Sequence, residues 1–169
     1  CPVAETVSTN EANRDENTIE IIEAENYNII KKLEVGNHPF GISTNEKFAY
    51  VANVYDDTIT EINLENFSTK TIMVGDHPYN IKTFNNIGFV TNALDDSLSI
   101  IDLKNKKEFK TIRTGENPEN LDINIEFNLL VVTNWGSDSI SIYNLKNLSL
   151  IKEIKTGAQS RSFGNFILQ

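Results

Sequence analysis

A recurring pentapeptide sets the plan of this chain. Val35-Gly36-Asn37-His38-Pro39 returns as Val74-Gly75-Asp76-His77-Pro78, again as Thr114-Gly115-Glu116-Asn117-Pro118, and in degenerate form as Thr156-Gly157-Ala158-Gln159-Ser160. The glycines stand 39, 40 and 42 residues apart. A fixed period of that length marks a row of similar supersecondary units, each of which buries its apolar surface only against its neighbours. Two more markers keep the period. Tyr50-Val51-Ala52-Asn53, Phe89-Val90-Thr91-Asn92 and Val131-Val132-Thr133-Asn134 form the first, each Asn being followed six places later by Ile59, Leu98 or Ile140. Leu64-Glu65-Asn66, Leu103-Lys104-Asn105 and Leu145-Lys146-Asn147 close each unit.

Each unit reads as four short strands. The first follows Pro39, Pro78 or Pro118, and the second is the segment that ends on the repeated Asn. The third covers 58–64, 97–103 and 139–145, with apolar residues two apart as a pleated strand requires. The fourth covers 70–74, 110–114 and 152–156. Asn, Asp and Gly punctuate the junctions, and no segment holds a 3.6-residue apolar period, so helices are expected to be absent. Four strands in one period make a propeller blade.

The chain ends complement each other. Val7-Ser8-Thr9-Asn10, the segment 18–22 and Asn26 match the second, third and fourth strands of a unit whose first strand is missing. Residues 160–167 have the character of a first strand with nothing after it. The expected fold is therefore all-β: one small propeller domain over 1–169, with four four-stranded blades. Its units are 1–36 plus 158–169, 37–75, 76–115 and 116–157, and the ring closes where the C-terminal strand pairs with the N-terminal strands. A monomer or a head-to-tail homodimer satisfies that pairing.

The repeat resembles the YVTN family of β-propellers, whose unit runs from a Val-Gly-x-x-Pro turn through a Tyr-Val-Thr-Asn strand to a Thr-Val-Ser-Val-Ile-Asp strand. Three units match it, and Ser162-Phe163-Gly164-Asn165-Phe166-Ile167 resembles the closing strand of such chains, so that the likeness spans about nine tenths of the sequence. Members usually close a ring of more blades than four. The first unit also departs from the pattern, with three extra residues between Asn10 and Ile19. The resemblance implies a fold more than an activity, because the family holds surface proteins, cofactor-dependent enzyme subunits and proteins of undefined role.

Charge and cysteine content narrow the partners. A net charge of −9 opposes attraction to nucleic acid or an anionic lipid surface. The longest apolar runs, such as 129–132, are strand-sized and far short of a bilayer-spanning helix. Cys1 is the only cysteine, which excludes an intrachain disulfide. A chain that starts at Cys reads as a processed bacterial lipoprotein with lipid on Cys1, placed in the cell envelope on the periplasmic side or the surface.

Both markers fall on one face, the top, where fourth strands lead into first strands and second strands into third. His38, His77, Asn117 and Gln159 hold equivalent places there and form a ring near the central channel. Two imidazoles suit a metal ion, yet no third strong ligand shares their level, so no metal site and no cofactor is assigned. The loops after the repeated Asn carry Tyr55 with Asp56, Leu94 with Asp95, and Trp135. The repeated Asn and the second Asp of each loop (Asp57, Asp96, Asp138) suit turn formation. Tyr55, Leu94 and Trp135 break the repeat in loops that face water, as anchors of a contact surface do. No phosphate loop, Cys-x-x-Cys, His-Glu-x-x-His or Gly-x-Ser-x-Gly is present. The sequence thus points to a binding or scaffolding module for a protein or small ligand rather than an enzyme. The alternative is an accessory or cofactor-binding subunit of a periplasmic redox enzyme.

Overall fold

The structure is a computed structural model and describes residues 7–159, 161, 162 and 165–167, with side chains from residue 13 onward. Cys1 and Ser160 lie outside the described residues. The strands are β1 (Val7–Asn13), β2 (Thr18–Glu23), β3 (Ile29–Glu34), β4 (Pro39–Thr44), β5 (Phe48–Asn53), β6 (Thr58–Asn63), β7 (Thr69–Met73) and β8 (Pro78–Phe84). They continue as β9 (Ile87–Asn92), β10 (Ser97–Asp102), β11 (Lys107–Arg113), β12 (Pro118–Asn124), β13 (Leu129–Asn134), β14 (Ser139–Asn144) and β15 (Leu150–Lys155). No helix occurs among the described residues.

Antiparallel pairing groups them into the sheets β1-β2-β3, β4-β5-β6-β7, β8-β9-β10-β11 and β12-β13-β14-β15. The first blade has the three strands expected of it. Its register differs from the sequence expectation, because Asn13, and not Asn10, faces Thr18 across the hairpin, as Asn53 faces Thr58. Counted from Asn13 the first unit has no extra residues. The irregularity sits further back, as a register shift between Val7 and Asn10.

Packing explains why the middle strands are buried on both sides. In β5, Tyr50 and Ala52 join Ile59 and Ile72 against Ile81, Val90, Ile101 and Leu103 of the third blade. The intervening Ala49 and Val51 turn the other way, with Ile62, onto Ile19 and Ile21 of the first blade. Phe89, Leu98 and Ile100 repeat the arrangement against Leu121, Leu130, Val132 and Tyr143 of the fourth. A strand with a blade on each face carries no clean apolar–polar alternation. Each core is an interface between neighbouring blades, whereas the outermost strands β3 and β15 are largely exposed.

The glycine of each connector is fixed by crowding. A Cβ on Gly36 would stand 2.7 Å from Asn53 Cγ, on Gly75 2.5 Å from Asn92 Nδ2, and on Gly115 2.3 Å from Ser137 Oγ, distances no side chain accommodates without movement. Gly157 differs: among the described residues nothing lies within 4 Å of its Cβ position. The described tail residues run beside β12. Asn120 Nδ2 donates to Ser162 O at 3.2 Å, and the Phe166 and Ile167 N–H groups donate to Asp122 Oδ2 at 2.8 and 2.9 Å. The expected pairing of 160–167 with β1 is not found among the described residues, several of the tail positions lying outside them.

Candidate functional site

The top face is assembled from the connectors and the loops that follow the repeated Asn. His38, His77, Asn117 and Gln159 all have left-handed backbone, with φ between 48° and 55°. That conformation favours Asn and His among residues with a side chain. Each of the four is gripped by the blade before it: His38 N–H donates to Asn17 Oδ1 at 2.9 Å, His77 N–H to Asp57 Oδ1 at 3.0 Å, Asn117 N–H to Asp96 Oδ1 at 2.9 Å, and Gln159 N–H to Asp138 Oδ1 at 2.5 Å. Their carbonyls turn into their own blade, where Val54, Ala93 and Trp135 N–H donate to His38, His77 and Asn117 O. The equivalence of these positions is a backbone latch between blades.

Asp56 and Asp95 work in the same joints. Asp56 Oδ2 accepts from Asn37 N–H at 2.7 Å and Asp95 Oδ2 from Asp76 N–H at 2.8 Å, and in the fourth blade Ser137 Oγ accepts from Glu116 N–H at 3.1 Å. Asn53, Asn92 and Asn134 are buried, and each donates through Nδ2 to the two hydroxyls across the hairpin, such as Thr58 and Thr60 for Asn53.

The large loop side chains do not form one patch. Tyr55, 61% exposed, is stacked on His38 with ring centroids 4.4 Å apart and meets the edge of His77 at 5.6 Å. Leu94 shares the Tyr55 position in the next blade and is 57% exposed. Trp135 instead takes the place of Val54 and Ala93, while Gly136 stands where Tyr55 does. Trp135 is half-buried, with the Arg161 guanidinium 5.1 Å over its ring.

His77 gathers two carboxylates. Its Nδ1 lies 2.5 Å from Asp76 Oδ1, and donor atoms of Asp57, Asp76 and His77 all fall within 4.8 Å of one another. Asp57 is already committed to the His77 N–H. His38 takes no part in this group.

A cavity of about 520 Å³ opens at the top end of the inner strands. The residues after Pro39, Pro78, Pro118 and Ser160 ring it: Phe40, Tyr79, Glu119 and Arg161, joined by Arg14 from the first blade and Lys82 from β8. Phe40 and Tyr79 are tilted rings 4.8 Å apart, Arg14 lies over Phe40 at 5.3 Å, and Arg161 Nη2 is 3.2 Å from Glu119 Oε1. Burial raises the Glu119 pKa and the Arg161 charge opposes that rise. One level down, Asn80 donates to Asn120, which donates to Ser162. Sequence reasoning missed this ring. Its signal was a position that changes identity in every blade after a proline kept in three of the four. A second cavity, about 680 Å³, lies at the opposite end between the second and third blades, around Phe48, Tyr50, Phe84, Leu103 and Lys106.

These four antiparallel sheets, packed face to face in sequence, define a β-propeller-like fold. The chain matches no protein-family model and no curated protein. Among solved structures it is similar to Kuenenia stuttgartiensis hydrazine synthase, with 19% identity and a TM-score of 0.78 over 83% of this chain and 44% of that one. It is also similar to the dihydro-heme d1 dehydrogenase NirN in complex with DHE, at 14% identity and TM-score 0.72 over 90% of this chain and 36% of that one. The computationally designed Ika8 protein superposes with TM-score 0.79 at 11% identity, over 96% of this chain and 51% of that one. The chain thus spans about half the length, or less, of the propeller proteins it matches.

Proposed function

We propose that this propeller is a non-catalytic binding module whose top face holds a protein or small ligand. The observation that carries the reading is the contrast within the face. The Asn, Asp and Gly positions repeat because they latch the blades, whereas Tyr55 and Leu94 repeat no such role and stand exposed. Exposed single apolar residues are common, so what lends these two weight is that they hold the same loop position in successive blades, Tyr55 there lying against His38 and His77. A doubly substituted Tyr55→Ala, Leu94→Ala chain is expected to melt with the parent and to lose capture of the native partner. Undiminished capture would move the site off this face.

A second reading, an accessory or cofactor-binding subunit of a redox enzyme, is favoured by the names of two structural neighbours, a hydrazine synthase and a heme d1 dehydrogenase. Ring closure belongs to the same proposal. Its support is that the tail lies against β12 much as β12 lies against β8, while the first blade lacks an inner strand.

A further inference from the structure

We propose that the mouth of the channel is a site for a small organic anion with a flat apolar body, its carboxylate held by Arg14 and Lys82 and its rings laid against Phe40 and Tyr79. The proposal narrows the binding reading above to one ligand chemistry. Its first ground is an inversion of charge. The chain carries a net −9, yet the cavity wall presents three basic side chains, Arg14, Lys82 and Arg161, and one acidic one, Glu119. A concave wall of one sign concentrates ligands of the other.

The second ground is which of those charges are already matched. Arg161 is paired with Glu119 and stacked on Trp135, so it shapes the wall. Arg14 is exposed and makes no ion pair among the described residues. Among the described residues Lys82 Nζ meets only the neutral amide oxygen of Asn165, at 2.6 Å. A guanidinium and an ammonium without a carboxylate, beside a cavity, are fitted to accept one.

The third ground is the apolar wall between them. Phe40 and Tyr79 offer adjacent ring faces, and Phe40 is 37% exposed although it sits on an innermost strand. Ring-on-ring packing of a planar ligand uses such a wall, with the Arg14 guanidinium at its edge over Phe40. The volume suits a molecule of two or three fused rings and is too confined for a folded partner.

The test is isothermal titration of the intact chain with naphthalene-2,6-dicarboxylate and with the uncharged 2,6-bis(hydroxymethyl)naphthalene. The dicarboxylate is expected to bind saturably and at least tenfold more tightly than the diol. Arg14→Gln and Lys82→Gln, checked for unchanged melting, should each weaken it tenfold or more, and Phe40→Ala should weaken both compounds. Lys104→Gln, which removes an equal charge at the opposite cavity, should change nothing. No saturable binding, equal affinity for the two compounds, or a loss confined to Lys104→Gln overturns the proposal. The Tyr55→Ala, Leu94→Ala chain should titrate like the parent, so failure of the wider top-face reading shows separately, in partner capture.

Discussion

The His77 backbone N–H donates to Asp57 Oδ1 at 3.0 Å, a bond from the connector that opens one blade to the last residue of the β5–β6 loop in the blade before it. Both residues have left-handed backbone, with φ of 54° and 56°. The bond recurs at every described blade junction, so the motif that set the sequence period is also the joint between neighbouring blades.

Asp57→Ala should therefore cost about 2 kcal/mol, combining a lost charge-assisted bond with the poorer tolerance of Ala than of Asp for left-handed backbone. Asp57→Asn should cost only a few tenths, because Asn17 performs the same task in the first blade. Asp57→Gly separates the terms by relieving the strain without restoring the acceptor. Urea unfolding of the three variants checks the ranking, and an Ala variant as stable as the Asn variant would deny the latch.

The open side of Gly157 reports on closure. If the first blade seats against the tail, its Asn13–Asn17 loop stands to Gly157 as Asn53 stands to Gly36, and a methyl group has no room. Gly157→Ala should then destabilise by an amount comparable to Gly36→Ala, on the order of 1–3 kcal/mol for overpacking. Removing everything after Gly157 should lower the melting temperature as well, by stripping the partners of Asp122. An unchanged melting temperature for Gly157→Ala beside a large drop for Gly36→Ala would leave the four blades as an open arc.

Buried tyrosines set an alkaline limit. Burial, and then the Glu61 charge, push the Tyr50 phenol far above its ordinary value of 10, and burial raises Tyr143 in the same direction. The unfolded chain releases these protons first. Their contribution is thus complete below pH 10 and is lost as the pH climbs above 10 toward the folded values. Thermal melts between pH 8 and 11 should show the fall, and Tyr50→Phe should make it shallower. An equally steep fall in that variant would assign the effect elsewhere.

Much of this fold was legible because latch residues are few in kind. A left-handed position favours Asn, Asp and His, and a crowded connector admits only Gly, so both leave letters that repeat. The first blade was misread by three residues because Glu11 carries charge where the other blades have Val. Read in register, Arg14 would have aligned with Val54, Ala93 and Trp135 and stood out. The ring of Phe40, Tyr79, Glu119 and Arg161 left no repeated letter to follow, since a cavity-lining position can differ in every blade. His38 and His77 drew notice as ligands, although their shared requirement is backbone geometry.

That the top of the channel is where this propeller binds can be read out residue by residue. Amide chemical shifts of the labelled, intact chain would be followed while naphthalene-2,6-dicarboxylate is added. The account predicts that the perturbed amides cluster at Phe40, Gly41, Tyr79, Asn80 and Ser162, with the far cavity around Lys47, Phe48 and Lys106 silent. Perturbation confined to that far cavity, or scattered over the outer strands β3 and β15, would contradict it.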